Sequence, residues 1–168
     1  MIVLVGFMGA GKTTVGRLLS GQLGLPFIDA DAVIEERAGR PVPQIFADHG
    51  EQAFRVVEHE TIAGLLNGRP AVLALGGGAV EDTRTRRLLL AVDVVYLHIH
   101  YDGALARVGG DDGRPMLRRP DLPALYARRL AAYQAVATHT VPTDDREPAD
   151  VCRDIVGRLG SAVRPRTG

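Results

Sequence analysis

Cysteine, lysine and net charge are all scarce in this sequence of 168 residues. The single cysteine, Cys152, excludes a disulfide within the chain and a zinc site built from cysteines, and it favours a reducing compartment, so we expect a cytoplasmic protein. Twenty basic residues balance twenty acidic ones, which leaves no positive field to hold a nucleic acid or a membrane surface. Any anion that the protein binds must therefore be held at a local site.

Long apolar runs are also absent. The opening run, Met1 to Val5, is too short for a signal peptide, and no run approaches the ~18 apolar residues of a membrane span. We therefore expect neither a targeting segment nor contact with a membrane. At ~150 residues per domain, the length predicts one domain covering residues 1–168, and we expect a monomer.

Short apolar runs alternate with segments long enough for helices, which predicts a three-layer α/β fold with a mostly parallel sheet. Five runs are predicted as strands: Ile2 to Val5, Pro26 to Ile28, Ala71 to Leu75, Val92 to Ile99, and His139 to Val141. In such a fold, ligands bind at the carboxyl ends of the strands.

Three segments depart from this alternation. Val42 to Leu66 reads as a long helical insert within a substrate-binding region at about 31–66. Gly109 to Pro123 is dense in Gly, Pro, Asp and Arg, which predicts a mobile loop that acts as a lid. Residues 161–168 carry no pattern and are expected to fray.

The loop after the first strand has the sequence of a phosphate cradle. Gly6 to Thr13 satisfies G-x-x-x-x-G-K-[ST] between a predicted strand and a predicted helix. Its backbone N–H groups and the helix N-terminus would hold a polyphosphate, Lys12 would reach the β- and γ-phosphates, and Thr13 would bind Mg²⁺. Lys12 is the only lysine beside nineteen arginines, as expected where a compact ammonium is needed. The working ligand is ATP or another nucleoside triphosphate.

Asp29 and Asp31 lie at the end of the second predicted strand. Alternate residues of an extended segment point the same way, so both carboxylates can face the cleft, one serving Mg²⁺ and one a substrate hydroxyl. The alternative is that Asp31 only caps a helix that begins near Ala32.

Arg55 lies within the helical insert, three residues before Glu58 and four after Glu51. This spacing is typical of a surface ladder of ion pairs, and an anion site is the alternative. The same helix predicts an inward stripe of Phe54, Val57 and Thr61.

Two further segments favour a second substrate. Gly76 to Gly78 follows a strand and indicates either a tight turn or backbone that a ligand approaches closely. Arg114 lies in the predicted lid, where closure would bring an arginine to a phosphoryl group. His98 and His100 share one face of the fourth strand, but no third metal ligand is visible in the sequence, so we predict no metal site there.

Taken together, these segments closely resemble the shikimate kinase family over essentially the whole chain. The marks are the P-loop, Asp29 to Asp31, Phe54 to Glu58, Gly76 to Gly78, and Arg114 with Pro115, in this order and spacing. The resemblance implies a nucleoside-monophosphate-kinase-like fold with strand order 2-3-1-4-5. It also implies ATP-dependent phosphorylation of the 3-hydroxyl of shikimate in aromatic amino-acid biosynthesis.

The resemblance also implies roles for individual residues. The catalytic residues would be Lys12, Asp31 and Arg114. ATP would be bound by Gly9, Ala10, Gly11, Lys12, Thr13, Thr14, Arg107, Arg114, Arg146 and Pro148. Shikimate would be bound by Asp31, Arg55, Gly76, Gly77, Gly78 and Arg129, with Arg128 the alternative in the last place. Mg²⁺ would be held by Thr13 and Asp29.

The sequence departs from the family pattern at Ala30, where Ser or Thr is usual, and at Met116, where Leu is commoner. Neither change removes a reacting group. Another small P-loop kinase, acting on gluconate or a nucleoside monophosphate, stays open as an alternative, as does a non-catalytic nucleotide-binding module.

Overall fold

A computed structural model of the chain describes residues 1–108 and 121–162. The described strands are β1 (Ile2–Val5), β2 (Phe27–Asp29), β3 (Val72–Ala74), β4 (Asp93–His98) and β5 (His139–Pro142). The described helices are α1 (Lys12–Leu23), α2 (Ala30–Ala38), α3 (Val42–Leu66), α4 (Thr83–Leu89), α5 (Tyr101–Val108), α6 (Leu122–Val136) and α7 (Pro148–Ala162), with a short 3₁₀ helix at Ala79–Glu81.

The five strands form one parallel sheet in the order β2-β3-β1-β4-β5, flanked by helices, which confirms the predicted fold class. β1 lies in the middle and pairs with β3 on one side and β4 on the other. Its residues Val3, Leu4 and Val5 are fully buried, as its unbroken apolar run predicts for a strand covered on both faces. The carboxyl ends of β1, β3 and β4 therefore lie side by side.

The helix that follows the phosphate loop is held against the middle of this sheet. α1 contacts β1, β2, β3 and α7. It ends at Gly24, whose backbone is left-handed (φ 65°) and whose N–H donates to the carbonyl of Ser20. A fixed α1 gives the loop at its N-terminus a rigid base.

The helical insert has its own small core beside the main one. Ile34 of α2 packs with Ile45 and Phe54 of α3. The chain of α3 is interrupted at Gly50, which has φ 78° and ψ 167°. The prediction that Val57 faces inward is wrong, because Val57 is exposed and the side chain of Glu58 is buried in its place.

Several predicted boundaries need correction. The strand predicted from Pro26 to Ile28 instead runs from Phe27 to Asp29. α6 begins at Leu122, inside the segment predicted as a lid. Ser161 and Ala162 belong to α7, so the prediction of a frayed segment is wrong at these two residues. The rest of that tail, and residues 109–120 of the predicted lid, lie outside the described residues. Among the described helices, none combines the length and the apolar character that crossing a membrane requires.

Candidate active site

The loop between β1 and α1 has the backbone of a phosphate cradle. Gly6 and Gly9 both have positive φ, and a Cβ at Gly6 would lie 2.6 Å from the carbonyl oxygen of Leu97. Only glycine therefore fits at the point where the loop leaves the sheet. The ammonium of Lys12 donates to the carbonyls of Gly6 (2.8 Å) and Phe7 (3.2 Å), which places its charge over the loop.

The loop opens into a cleft of about 740 Å³ at the carboxyl ends of the strands. Most of the predicted site residues line it: Gly9, Gly11, Lys12, Thr13, Thr14, Asp29, Asp31, Gly76, Gly77, Arg107, Arg129, Arg146 and Pro148. Ala10, Arg55 and Gly78 do not line this cleft, and Arg114 lies outside the described residues.

Asp29 and Asp31 reach the cleft by a different route from the one predicted. The segment does not stay extended, because Asp29 ends β2 and caps α2, where its carboxylate accepts from the N–H of Asp31 (3.1 Å). The cap is therefore Asp29, not Asp31. The other oxygen of Asp29 lies 3.4 Å from the hydroxyl of Thr13, and such a pair of oxygen donors suits Mg²⁺.

Asp31 is held where ionisation is costly. Burial, and next the charge of Asp29, raise the pKa of Asp31 from 3.8 to about 6, against the opposing effect of Lys12. A Cβ at Gly76 would lie 2.6 Å from one of its carboxylate oxygens, so the glycine turn leaves room for this side chain. A carboxylate with such a pKa can orient a substrate hydroxyl and accept its proton.

Arg55 is not part of a surface ladder. Its guanidinium donates to Glu58 (2.6 Å) and Glu51 (3.1 Å), but Glu58 is 3% exposed and Arg55 only 15%. Burial raises the pKa of Glu58 to about 7, although Arg55 opposes this. The insert therefore places a largely buried cation beside a buried acid, next to the glycine turn.

The turn at Gly76 to Gly78 is approached closely by charged side chains of the protein itself. Arg55 lies against Gly78, and the carbonyl of Gly77 accepts from the hydroxyl of Tyr133 (2.6 Å). Arg129 lies 3.5 Å from a Cβ built on Gly77. The three glycines let Asp31, Arg55 and Arg129 converge on one stretch of backbone.

Arg128 and Arg129 differ in exposure. Arg129 is 8% exposed and lines the cleft, whereas Arg128 is 60% exposed and does not. Both donate to Glu81 in the turn after the glycines, Arg128 at 3.1 Å and Arg129 at 2.8 and 3.0 Å.

The far wall of the cleft is built around Arg107. Its guanidinium donates to the carbonyl of Gly9 (3.2 Å) and to that of Thr143, so α5 is tied to both the phosphate loop and the loop after β5. Asp144 reinforces this link, because its carboxylate accepts from the backbone N–H (3.0 Å) and the ring Nδ1 of His100 (3.0 Å). Hydrogen bonds from His100 lower the pKa of Asp144 despite its partial burial.

Sequence reasoning missed three of these residues. Glu81 and Tyr133 carry no signal in the sequence, because their partners are up to 56 residues away. Asp144 does carry a signal in the sequence, because it follows the carboxyl end of a predicted strand, where ligands bind in a parallel sheet. It lies within 4.8 Å of His98 and His100, so a third potential ligand does accompany the histidine pair.

Comparisons with known proteins find the same family over nearly the whole chain. The family model for shikimate kinase matches residues 8–160. A shikimate kinase of Thermobifida fusca is 46% identical over 165 residues, 96% of each chain, and that of Moorella thermoacetica is 48% identical over 157 residues, 92% of this chain and 91% of the other. The solved structure of shikimate kinase from Acinetobacter baumannii in complex with shikimate superimposes with a TM-score of 0.91 at 37% identity, covering 98% of this chain and 94% of that one.

These matches span nearly the whole chain. The chain belongs to the shikimate kinase family.

Proposed function

We propose that this protein transfers the γ-phosphate of ATP to the 3-hydroxyl of shikimate, a step in the biosynthesis of aromatic amino acids. The observation that carries the proposal is the convergence of a phosphate loop, the carboxylate of Asp31 and the guanidinium of Arg129 on one cleft. A phosphate cradle alone serves many reactions. A carboxylated polyol requires two further groups from the protein: a carboxylate that accepts from its hydroxyls, and a cation that pairs with its carboxylate.

On the nucleotide side, we assign the phosphates to the loop residues and the adenine to the far wall. The phosphate group comprises Gly9, Ala10, Gly11, Lys12, Thr13 and Thr14, and the adenine group comprises Arg107, Arg146 and Pro148. Lys12 lies at the first turn of α1, where the helix N-terminus adds positive character to the same point.

The residues present fit Mg²⁺, which the family uses with ATP. Thr13 offers a hydroxyl and Asp29 a carboxylate, and hard oxygen donors of this kind suit the ion. When bound, Mg²⁺ neutralises charge on the β- and γ-phosphates. Asp29 is already fixed by its role as the cap of α2, so its second oxygen, which faces Thr13, has a defined direction.

On the acceptor side, Asp31 orients the 3-hydroxyl and accepts its proton. Phosphoryl transfer passes through a loose transition state that depends mainly on positioning and charge neutralisation, so a pKa of about 6 is sufficient for this role. Arg55 and Arg129 hold the substrate carboxylate, and the turn from Gly76 to Gly78 adds backbone contacts.

Other parts of the assignment rest on the sequence alone. Arg114 as a catalytic residue of a lid lies outside the described residues. One kinase domain over residues 1–168, a monomeric state and a cytoplasmic location likewise stay predictions.

The test measures ADP formation from ATP and Mg²⁺ with and without shikimate, using Lys12→Ala to subtract background hydrolysis. We expect shikimate to stimulate ADP release, with shikimate 3-phosphate as the second product. Stimulation by gluconate or a nucleoside monophosphate instead would identify a different P-loop kinase. If no small acceptor stimulates release, the protein is a nucleotide-binding module.

A further inference from the structure

Glu81 lies between the two arginines that we assign to the substrate carboxylate. Its Oε2 is 2.8 Å from Nη2 and 3.0 Å from Nε of Arg129, and 3.7 Å from Nη2 of Arg55. Its other oxygen, Oε1, accepts from Nε of Arg128 at 3.1 Å. A carboxylate oxygen of the protein thus lies between the two guanidinium groups that we assign to the substrate carboxylate.

The charge of Glu81 is maintained in this position. Burial alone would raise its pKa, but hydrogen bonds from Arg129 and then from Arg128 outweigh burial and lower it. Glu81 is therefore an anion at neutral pH. A second anion brought to the same pair of cations would meet its repulsion.

Arg55 is surrounded by carboxylates, and Glu81 differs from the other two. Glu58 is deeply buried and contacts Arg55 at 2.6 Å, while Glu51 lies at the rim and contacts Arg55 at 3.1 Å. Among the described residues, Glu81 is the carboxylate that reaches both Arg55 and Arg129.

We propose that Glu81 is a resident carboxylate that competes with the substrate carboxylate for Arg55 and Arg129, and that substrate binding displaces it toward Arg128. This inference rests on the proposed function, because it takes the substrate to carry a carboxylate. Glu81 acts through the arginines and is a specificity-determining residue, not a catalytic one.

The surroundings of Glu81 give it a place to move. Arg128 is largely exposed and already holds one oxygen of Glu81, so it can follow the carboxylate outward. A second depression, lined by Glu51, Gln52, Arg55, Glu81, Asp82 and Arg84, borders Glu81. The displaced carboxylate therefore keeps a cationic partner and gains access to water.

The competition has a consequence for selectivity. A ligand's apparent affinity falls in proportion to the fraction of protein that is competent to bind it. A ligand that can pair with both arginines can displace Glu81, whereas one without a carboxylate gains nothing from doing so. Glu81 thus lowers the affinity for a ligand that carries a carboxylate, leaves the affinity for an uncharged polyol unchanged, and narrows the difference between the two.

The test compares shikimate binding to the intact protein and to Glu81→Gln by calorimetric titration. Glutamine keeps the size and one acceptor oxygen but removes the charge, so we expect the Kd for shikimate to fall about tenfold. The methyl ester of shikimate has no carboxylate, and we expect the two proteins to bind it equally. Glu51→Gln is the matched control, because it removes a charge that contacts Arg55 and, among the described residues, does not contact Arg129. We expect a much smaller change.

A second variant tests the displacement. Arg128→Ala removes the partner that receives Glu81, and the loss of an exposed ion pair should weaken shikimate binding about two- to fivefold. This effect should vanish when Glu81→Gln is also present. Thermal melts of all variants check that they fold.

Other outcomes would overturn the inference. Weaker shikimate binding by Glu81→Gln would show that Glu81 positions Arg129. An equal gain in shikimate affinity in Glu51→Gln would show that any nearby negative charge repels the substrate carboxylate. An unchanged Kd would show that Glu81 does not compete. Failure of the proposed function is distinguishable, because the intact protein would then show no shikimate-dependent ADP release.

Discussion

The guanidinium of Arg55 lies flat against the backbone of Gly78, so closely that a Cβ at residue 78 would lie 2.6 Å from its Nη1. Gly78 itself has an ordinary helical conformation, with φ −92° and ψ −8°. The glycine is therefore required by the approach of the arginine and not by the turn.

Gly78→Ala should leave the fold intact and displace Arg55. Alanine is compatible with the backbone at residue 78, but its methyl group occupies the place of the guanidinium. We expect the KM for shikimate to rise about tenfold or more, as for the loss of one charge-assisted hydrogen bond, with the KM for ATP little changed. Gly64→Ala is the control, because a Cβ at that helical position meets nothing within 4 Å. Equal shikimate kinetics in both variants would contradict this account of Gly78.

Arg129→Lys and Arg128→Lys should separate the two neighbouring arginines. Lysine keeps the charge and loses the fork that pairs with a carboxylate. Because Arg129 lines the cleft and Arg128 is exposed, we expect a tenfold to hundredfold loss of shikimate affinity, on the order of 1.5 to 3 kcal/mol, in the first variant only. Direct titration with shikimate is the measurement, and a larger loss in Arg128→Lys would reverse the assignment.

The sequence predicted those parts of the molecule that depend on local pattern. The phosphate loop follows from its motif and the central strand from its apolar run, since each pattern has a single physical interpretation in that context. The same reasoning failed at Asp29. This residue ends β2 and also caps α2, so Asp31 lies in the first turn of the helix and not in an extended segment. A two-residue alternation cannot predict that change of backbone.

The electrostatics of the site could not be read from sequence spacing. Glu58 lies three residues from Arg55 on a helix, which is typical of a surface pair, and only the packing of α3 shows that it is buried. Glu81 is hydrogen-bonded to Arg129, which lies 48 residues later in the sequence. Such contacts depend on how the insert, the glycine turn and α6 come together.

Lys12→Arg should abolish most turnover although it preserves the charge. The ammonium of Lys12 fits between the carbonyls of Gly6 and Phe7, and a planar guanidinium is too large for the same position. We expect kcat to fall on the order of a hundredfold or more, as for the loss of a donor to a transition state. Steady-state kinetics and circular dichroism measure the two effects. A variant with nearly normal kcat would show that Lys12 is not a phosphate ligand.

Asp31→Asn should stabilise the protein at neutral pH while it removes activity. Asp31 has a pKa of about 6 in the folded state, raised first by burial and then by Asp29, against 3.8 for the free side chain. The folded state therefore prefers the protonated acid. Its contribution to stability is complete below pH 3.8 and is lost as the pH rises through 6.

Asparagine cannot ionise, so the variant avoids this loss. We expect its Tm to exceed that of the parent by several degrees at pH 8, with the gain appearing between about pH 4 and pH 6 and absent at pH 4. The gain should persist above pH 7, because the charge of Asp31 also opposes ionisation of Glu58. Asp48→Asn, at an exposed carboxylate paired with Arg40, is the control and should show no such gain. Thermal melts across this pH range, with an assay of ADP release at pH 8, measure both effects. A variant that is destabilised at pH 8 would show that the partners of Asp31 outweigh the cost of burying its charge.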